Sequence, residues 1–308
     1  AYANGVAFPL ASEVFSDNCF GATGASDGYG YQMIDEFDPS RSPADRNMYE
    51  GNWTGYYNAL FRINSFLQNF EQVDWKDDEQ RNAYEAEVRF LRAYIYFDMV
   101  RLWEKVPLVT EPTTDNVPQS EPDAIYKVIT EDLVFAAENL PDQSYASQDQ
   151  ATYGRVTKWA AESLIARVFL FYTGYYEQPD LVGLVNHAQA LAYVEDVVSH
   201  GGFSLVSDFA NLWPAASLDD YAGEGNSEIV FSIKYTFTSD YDGNTDGNHW
   251  MVMFGIREQS IFPYGNGWGG ATVNPHLWNE FDDDDTRKGA SIISIEDEEL
   301  PFDNQDRQ

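Results

Sequence analysis

Between residues 53 and 198 the apolar residues recur at steps of three and four, a period that dictates an α-helical scaffold and rules out an alternating sheet. Trp53, Tyr56, Tyr57, Leu60, Ile63, Phe66, Leu67 and Phe70 fall on one helix face. A second stripe, Tyr84, Val88, Leu91, Tyr94, Ile95 and Met99, is stopped by Pro107 and Pro112. A third helix is expected over Ala124 to Asn139, with Ile125, Val128, Ile129, Leu133 and Ala136 inward and Pro141 beyond its end. The fourth begins at Thr157, whose hydroxyl can cap it, and carries Ala160, Ala161, Leu164, Val168 and Phe171 to Gly174. The fifth runs from Leu181 to Val198, closed by Gly201 and Gly202. Five such helices joined by short or proline-marked connections predict stacked helix-turn-helix repeats. Ala93 and Phe97 form an A-x-x-x-F step of the tetratricopeptide kind, a small residue followed one turn later by a ring.

On either side the pattern changes. Gly21, Gly24, Gly28 and Gly30 stand too close together for a helix between them, so residues 16–49 are expected to be a long ordered loop of a functional kind. From Gly202 onward short strands such as Glu228 to Tyr235 alternate with Gly/Asn-rich turns. The fold class is therefore mainly α, a tetratricopeptide-like helical-repeat scaffold with an irregular loop-rich region containing short strands.

Acids number 51 against 18 bases, a formal charge of −33, so the surface repels phosphate backbones and nucleic acid is excluded as a partner. With 44% hydrophobic and 16% aromatic residues, that charge is spread over a folded surface. Cys19 is the sole cysteine, which excludes an intrachain disulfide and a cysteine zinc cluster and suits a small buried hydrophobe. His187, His200, His249 and His276 show no metal-ligand spacing. Gly24-Ala25-Ser26-Asp27-Gly28 spells G-x-S-x-G, but a nucleophile elbow needs a strand before it and a helix after it, and glycines surround this one. Paired carboxylates carry no information in a chain with this many acids.

Glu85-Ala86-Glu87-Val88-Arg89-Phe90-Leu91-Arg92-Ala93-Tyr94-Ile95-Tyr96-Phe97, running on through Trp103 to Val106-Pro107-Leu108, resembles the signature helix and turn of the SusD/RagB family of outer-membrane nutrient-binding lipoproteins. Trp53 to Asn64, Gly154 to Ala161 and Asn226 to Phe231 agree in the expected order. Glu104-Lys105 departs from the pattern, standing where family members have a glycine. The resemblance implies one SusD-like domain over 1–308, incomplete at both ends, with a loop-rich segment 1–49, helical repeats 50–200 and an irregular ligand-binding region 201–308. It also implies attachment to the extracellular face of the outer membrane through a lipid anchor outside this chain, a SusC-like TonB-dependent transporter as partner, and non-catalytic capture of oligosaccharide. A helical-repeat module binding peptide or protein is the alternative, and a glycoside hydrolase the third reading.

A sugar site needs exposed rings beside polar side chains, because sugars present an apolar C–H face and a rim of hydroxyls. Trp53, Trp103 and Trp159 sit at helical spacing and are expected to pack between helices. Rings stranded among glycines are the better candidates: Tyr29 and Tyr31 with Asp27, then Tyr264, Asn266 and Trp268, and also Trp250. Asp242, Asn244 and Asp246, followed by Gly247, reproduce the opening of a calcium loop, a candidate structural calcium site and the sole cofactor indicated. Met253 stands where the closing glutamate belongs.

Overall fold

A computed structural model describes residues 10–22, 24, 28–45, 49–149, 151–235, 254–257, 262–264 and 267–296. Strand β1 (Cys19–Gly21) and helix α1 (Tyr29–Asp35) occupy the stretch expected to be loop. The glycines do not forbid α1, because Gly28 stands outside it as N-cap at φ 56 and only Gly30 lies within. Helices α2 (Glu50–Gln68), α3 (Asp78–Trp103), α4 (Pro122–Asn139), α5 (Lys158–Tyr175) and α6 (His187–His200) follow. Strand β2 (Ala271–Val273) and the short helices α7 (Pro275–Glu280) and α8 (Arg287–Ser291) complete the main elements. The chain divides into two compact units, one of residues 1–54, 206–223 and 235–308, the other of 55–205 and 224–234.

The second unit is the helical scaffold, with α3 on α4, α4 on α5 and α5 on α6 in succession, the tetratricopeptide-like stacking expected. Caps begin these helices as the residue types require. Asp77 accepts the Gln80 amide at 2.8 Å, Thr157 accepts that of Ala160 at 3.4 Å, and Asn186 and Gln189 form a capping box. Leu60, Ile129, Leu133, Ile165, Val168 and Trp159 are sealed inside. Ala93 and Phe97 are both buried.

Three further sequence expectations need correction. The buried face of α3 runs through Ala86, Phe90, Ala93, Phe97 and Val100; of the expected stripe Met99 is buried, whereas Leu91 is exposed and Tyr84 lies at the surface between Trp75 and Arg155. The face is turned because small alanines admit α4 and because Arg92 is buried against Asp132, with Nε–Oδ2 at 2.6 Å and Nη2–Oδ1 at 2.8 Å. Helix α6 starts at His187 and not at Leu181, since Val182 (φ 47) and Gly183 (φ 73) turn the chain and Leu181 pairs with Val185. Residues 228–235 form no ladder among the described residues; instead Phe231 lies edge-on against Phe90 at 5.3 Å.

Candidate functional site

The first unit gathers both glycine-aromatic segments. Strand β1 pairs antiparallel with β2 in the register Cys19 to Val273, Phe20 to Thr272 and Gly21 to Ala271, and the Ala22 amide continues the ladder to the Gly270 carbonyl at 3.2 Å. A small core of Val14, Cys19, Ile34 and Ala271 supports this ribbon, with Tyr31 packed against it. The Cys19 thiol is pushed up to about 12, first by burial and then by the Glu13 and Asp35 carboxylates, which leaves it an inert hydrophobe as its sequence context suggested.

Above the ribbon the late loop is fixed by backbone. Gly267 donates to the Ile256 carbonyl at 2.7 Å and Gly269 to that of Gly255 at 3.0 Å, while Arg257 bridges Gly267 in parallel. A methyl group at Gly267 would run into the Gly255 backbone, and one at Gly28 into the Cβ of Ala22. These close approaches leave an open recess of about 200 Å³ between the two segments. Its walls are Ala22, Gly28 and Tyr31 on one side and Arg257, Trp268, Gly269 and Gly270 on the other.

Trp268 is 41% exposed on this wall and Tyr31 is half-buried, its ring shared between the recess and the small core. Tyr29, 46% exposed, belongs to the same helix but carries Arg41 over its ring at 5.8 Å and does not line the recess. Arg41 also binds Gln32 Oε1 at 2.7 Å, and the buried Gln32 holds the Gly24 carbonyl at 2.9 Å. Tyr264 is half-buried and outside the recess, after the cis Phe262–Pro263 bond and beside a Phe262 that faces solvent. The structure thus brings Trp268 and Tyr31 together and leaves Tyr29 and Tyr264 apart from them. Asp27, Trp250 and Asn266 lie outside the described residues, as do Ser26 and the calcium loop Asp242, Asn244 and Asp246. The described residues contain no cluster of three or more His, Cys, Asp or Glu that suits a metal ion.

Arg257 is the member of the site that sequence reasoning missed. No local pattern marks it; its place follows from the pairing with Gly267 across a loop. The reason given against a nucleophile elbow also needs amending, because β1 precedes and α1 follows the G-x-S-x-G stretch. What the recess offers chemically is an indole face, a phenol, a guanidinium fork and peptide groups, a set that stacks and hydrogen-bonds.

A family profile, "SusD-like_3: Starch-binding associating with outer membrane", matches residues 19–170. A SusD-like protein of Bacteroides ovatus is 28% identical over 214 residues, 65% of this chain and 35% of its own. A solved laminarin binding SusD-like protein superimposes with a TM-score of 0.75 at 26% identity, covering 96% of this chain and 64% of that one. Surface glycan-binding protein A from Bacteroides fluxus, at 24% identity, shares the fold with a TM-score of 0.78 over 99% of this chain and 62% of its own. The chain therefore spans about a third of the length of the Bacteroides ovatus relative and under two thirds of these solved chains. Helices stacked in this order, the signature stretch on α3 and these matches together make the chain similar to the SusD-like family over residues 19–170.

Proposed function

We propose that this chain captures oligosaccharide at the outer membrane of a bacterium without altering it, and that the sugar stacks in the recess at Trp268. One observation carries the reading: a half-exposed indole stands beside Tyr31 and the Arg257 guanidinium over a floor of glycine backbone. A sugar's C–H face suits the ring, and its hydroxyls suit the guanidinium and the peptide groups. At about 200 Å³ the recess is smaller than the roughly 300–1,000 Å³ of sites that enclose a ligand, which fits a unit or two of a longer chain lying across it. The laminarin binding relative and the starch-binding description of the family support the same ligand class.

Tyr29, Tyr264, Asp27, Asn266 and Trp250 are proposed to extend the contacts along the sugar chain. In this reading a lipid anchor holds the protein at the extracellular face and the cargo passes to a SusC-like TonB-dependent transporter. Protein or peptide binding is the second reading, favoured by the exposed stripe Leu191, Val194 and Val198 on α6.

Trp268→Ala is expected to weaken binding to the cognate oligosaccharide about tenfold, equivalent to ~1.4 kcal/mol for a lost stacked ring, with no fall in melting temperature. Calorimetric titration of a panel of oligosaccharides measures it, with Tyr264→Ala in parallel. Unchanged affinity in both variants removes the site assignment, and peptide binding in place of sugar binding transfers the case to the second reading.

A further inference from the structure

We infer that the Trp268 recess selects uncharged glycan and turns away polysaccharides that carry carboxylate or sulfate groups. The inference rests on the recess being a sugar site. Its warrant is the distribution of charge between the two units. Residues 1–54, 206–223 and 235–308, the unit that holds the recess, carry 26 acids against 6 bases, a formal charge of −20. The helical unit carries 25 acids against 12 bases. Bases are thus scarcest where the ligand would arrive.

One acid is tied beside the Ala22 wall, and others follow it in the sequence. The Asp35 carboxylate accepts the Gly21 amide at 3.0 Å, one residue from the Ala22 wall, and Glu36 and Asp38 follow the helix that carries Tyr31. Of the six bases, Arg41 is paired with Glu36 at 3.0 Å and Arg287 with Asp285 at 2.5 Å. Among the described residues lining the recess Arg257 is the one with a charged side chain, and it too has contacts of its own.

Arg257 does not reverse this balance. A guanidinium fork binds one carboxylate well but binds paired hydroxyls too. A polyanion brings a charge with each sugar unit, and at 0.15 M salt all charges within a screening length of about 8 Å interact. The anionic groups on neighbouring units therefore meet the acidic excess of this unit unpaired. A neutral chain feels only stacking and hydrogen bonds, which that field leaves intact.

The test compares ligands with one backbone and different charge: laminarin with carboxymethyl-laminarin and starch with carboxymethyl-starch, alongside xyloglucan, polygalacturonate and alginate. Binding to the wild type and to Trp268→Ala is measured at about 20 mM and about 200 mM NaCl, a range over which screening changes strongly. The expected result is Trp268-dependent binding of at least one neutral glycan that does not weaken as salt rises. Its charged counterpart binds at least about tenfold more weakly at low salt, and the gap narrows at high salt. A polyanion that binds tightest through Trp268, and loses affinity as salt rises, overturns the inference while leaving the sugar site standing. A neutral-to-charged gap that salt does not move overturns its electrostatic cause. Absence of any Trp268-dependent glycan binding overturns the sugar site itself.

Discussion

Glu104 ends α3 at φ 58 and ψ −62, and the Lys105 amide donates to the Trp103 carbonyl at 2.6 Å, closing a γ-turn around it. Backbone in this region costs a residue with a Cβ on the order of 1–3 kcal/mol, and glycine far less. The family pattern has glycine at this turn, so the departure seen in the sequence has a physical price here. Glu104→Gly is expected to stabilise the helical unit by about 1 kcal/mol net of glycine's extra freedom when unfolded. Calorimetry should show a melting temperature higher by roughly 2–4 °C. A lower one would mean that the turn is unstrained. Glu162 makes the opposite point, that a residue can be in place and still be poorly served. Its carboxyl is buried, Lys158 Nζ reaches it at 3.5 Å, and Lys158 also binds Asp196 at 2.6 Å, which in turn holds His200 at 2.6 Å. Burial, then the Asp196 carboxylate, push Glu162 up to about 7 despite Lys158, and Asp142 adds its field to the same lysine. A carboxyl raised in the folded state stabilises below its unfolded value near 4.5, and that contribution is lost as pH climbs through about 7. Glu162→Gln should therefore lose less stability than the wild type between pH 5.5 and pH 8, read as the difference in melting temperature. Parallel curves for the two proteins would refute the assignment.

At the level of elements, the periods of α2, α4 and α5 were legible because one apolar face repeats locally and a cap or proline marks an end. The face of α3 was not, because its inward positions include Ala86, Ala93 and Arg92, which do not announce burial by residue type. The start of α6 was misplaced because Leu181 and Val185 are apolar and buried, yet they belong to a turn. In the candidate site the glycine-aromatic segments were visible, but the pairing of Cys19–Gly21 with Ala271–Val273 that brings them together is non-local and leaves no trace in either segment. Arg92 and Asp132 show what the helix-to-helix contact demands. Arg92 enters α3's interior face only because Asp132 of α4 meets it with two bonds, and Asn64 of α2 accepts a third at 3.3 Å. Asp132→Ala leaves a buried guanidinium without its carboxylate and is expected to cost about 3–5 kcal/mol in chemical denaturation. Arg92→Met combined with Asp132→Leu should recover most of that loss, since an apolar pair has no charge to desolvate. If the double variant is no better than Asp132→Ala, the pair is doing something beyond fastening two helices.

Across the whole molecule, charge and core are distributed in opposite senses. Among the described residues the helical unit has the larger apolar interior, including Leu60, Phe90, Ile129, Leu133, Trp159 and Ile165, and its −13 is the smaller excess. Among the described residues, the unit with the recess packs a smaller core around Val14, Cys19, Ile34 and Ala271 while carrying −20. Self-repulsion opposes compaction and is screened by salt, so it weighs most where charge is dense and packing thin. Local opening follows the same rule, since elements with few buried contacts open at lower free energy than the global transition. Salt should accordingly firm up the recess more than the helices. Raising NaCl from about 20 mM to about 200 mM is expected to slow amide exchange severalfold in peptides covering β1, α1 and β2, with far smaller change in α4 and α5. Exchange mass spectrometry reads both regions in one sample. Equal slowing in the two units would mean that repulsion is shared evenly despite the uneven charge, and that the recess owes its order to something other than its small core.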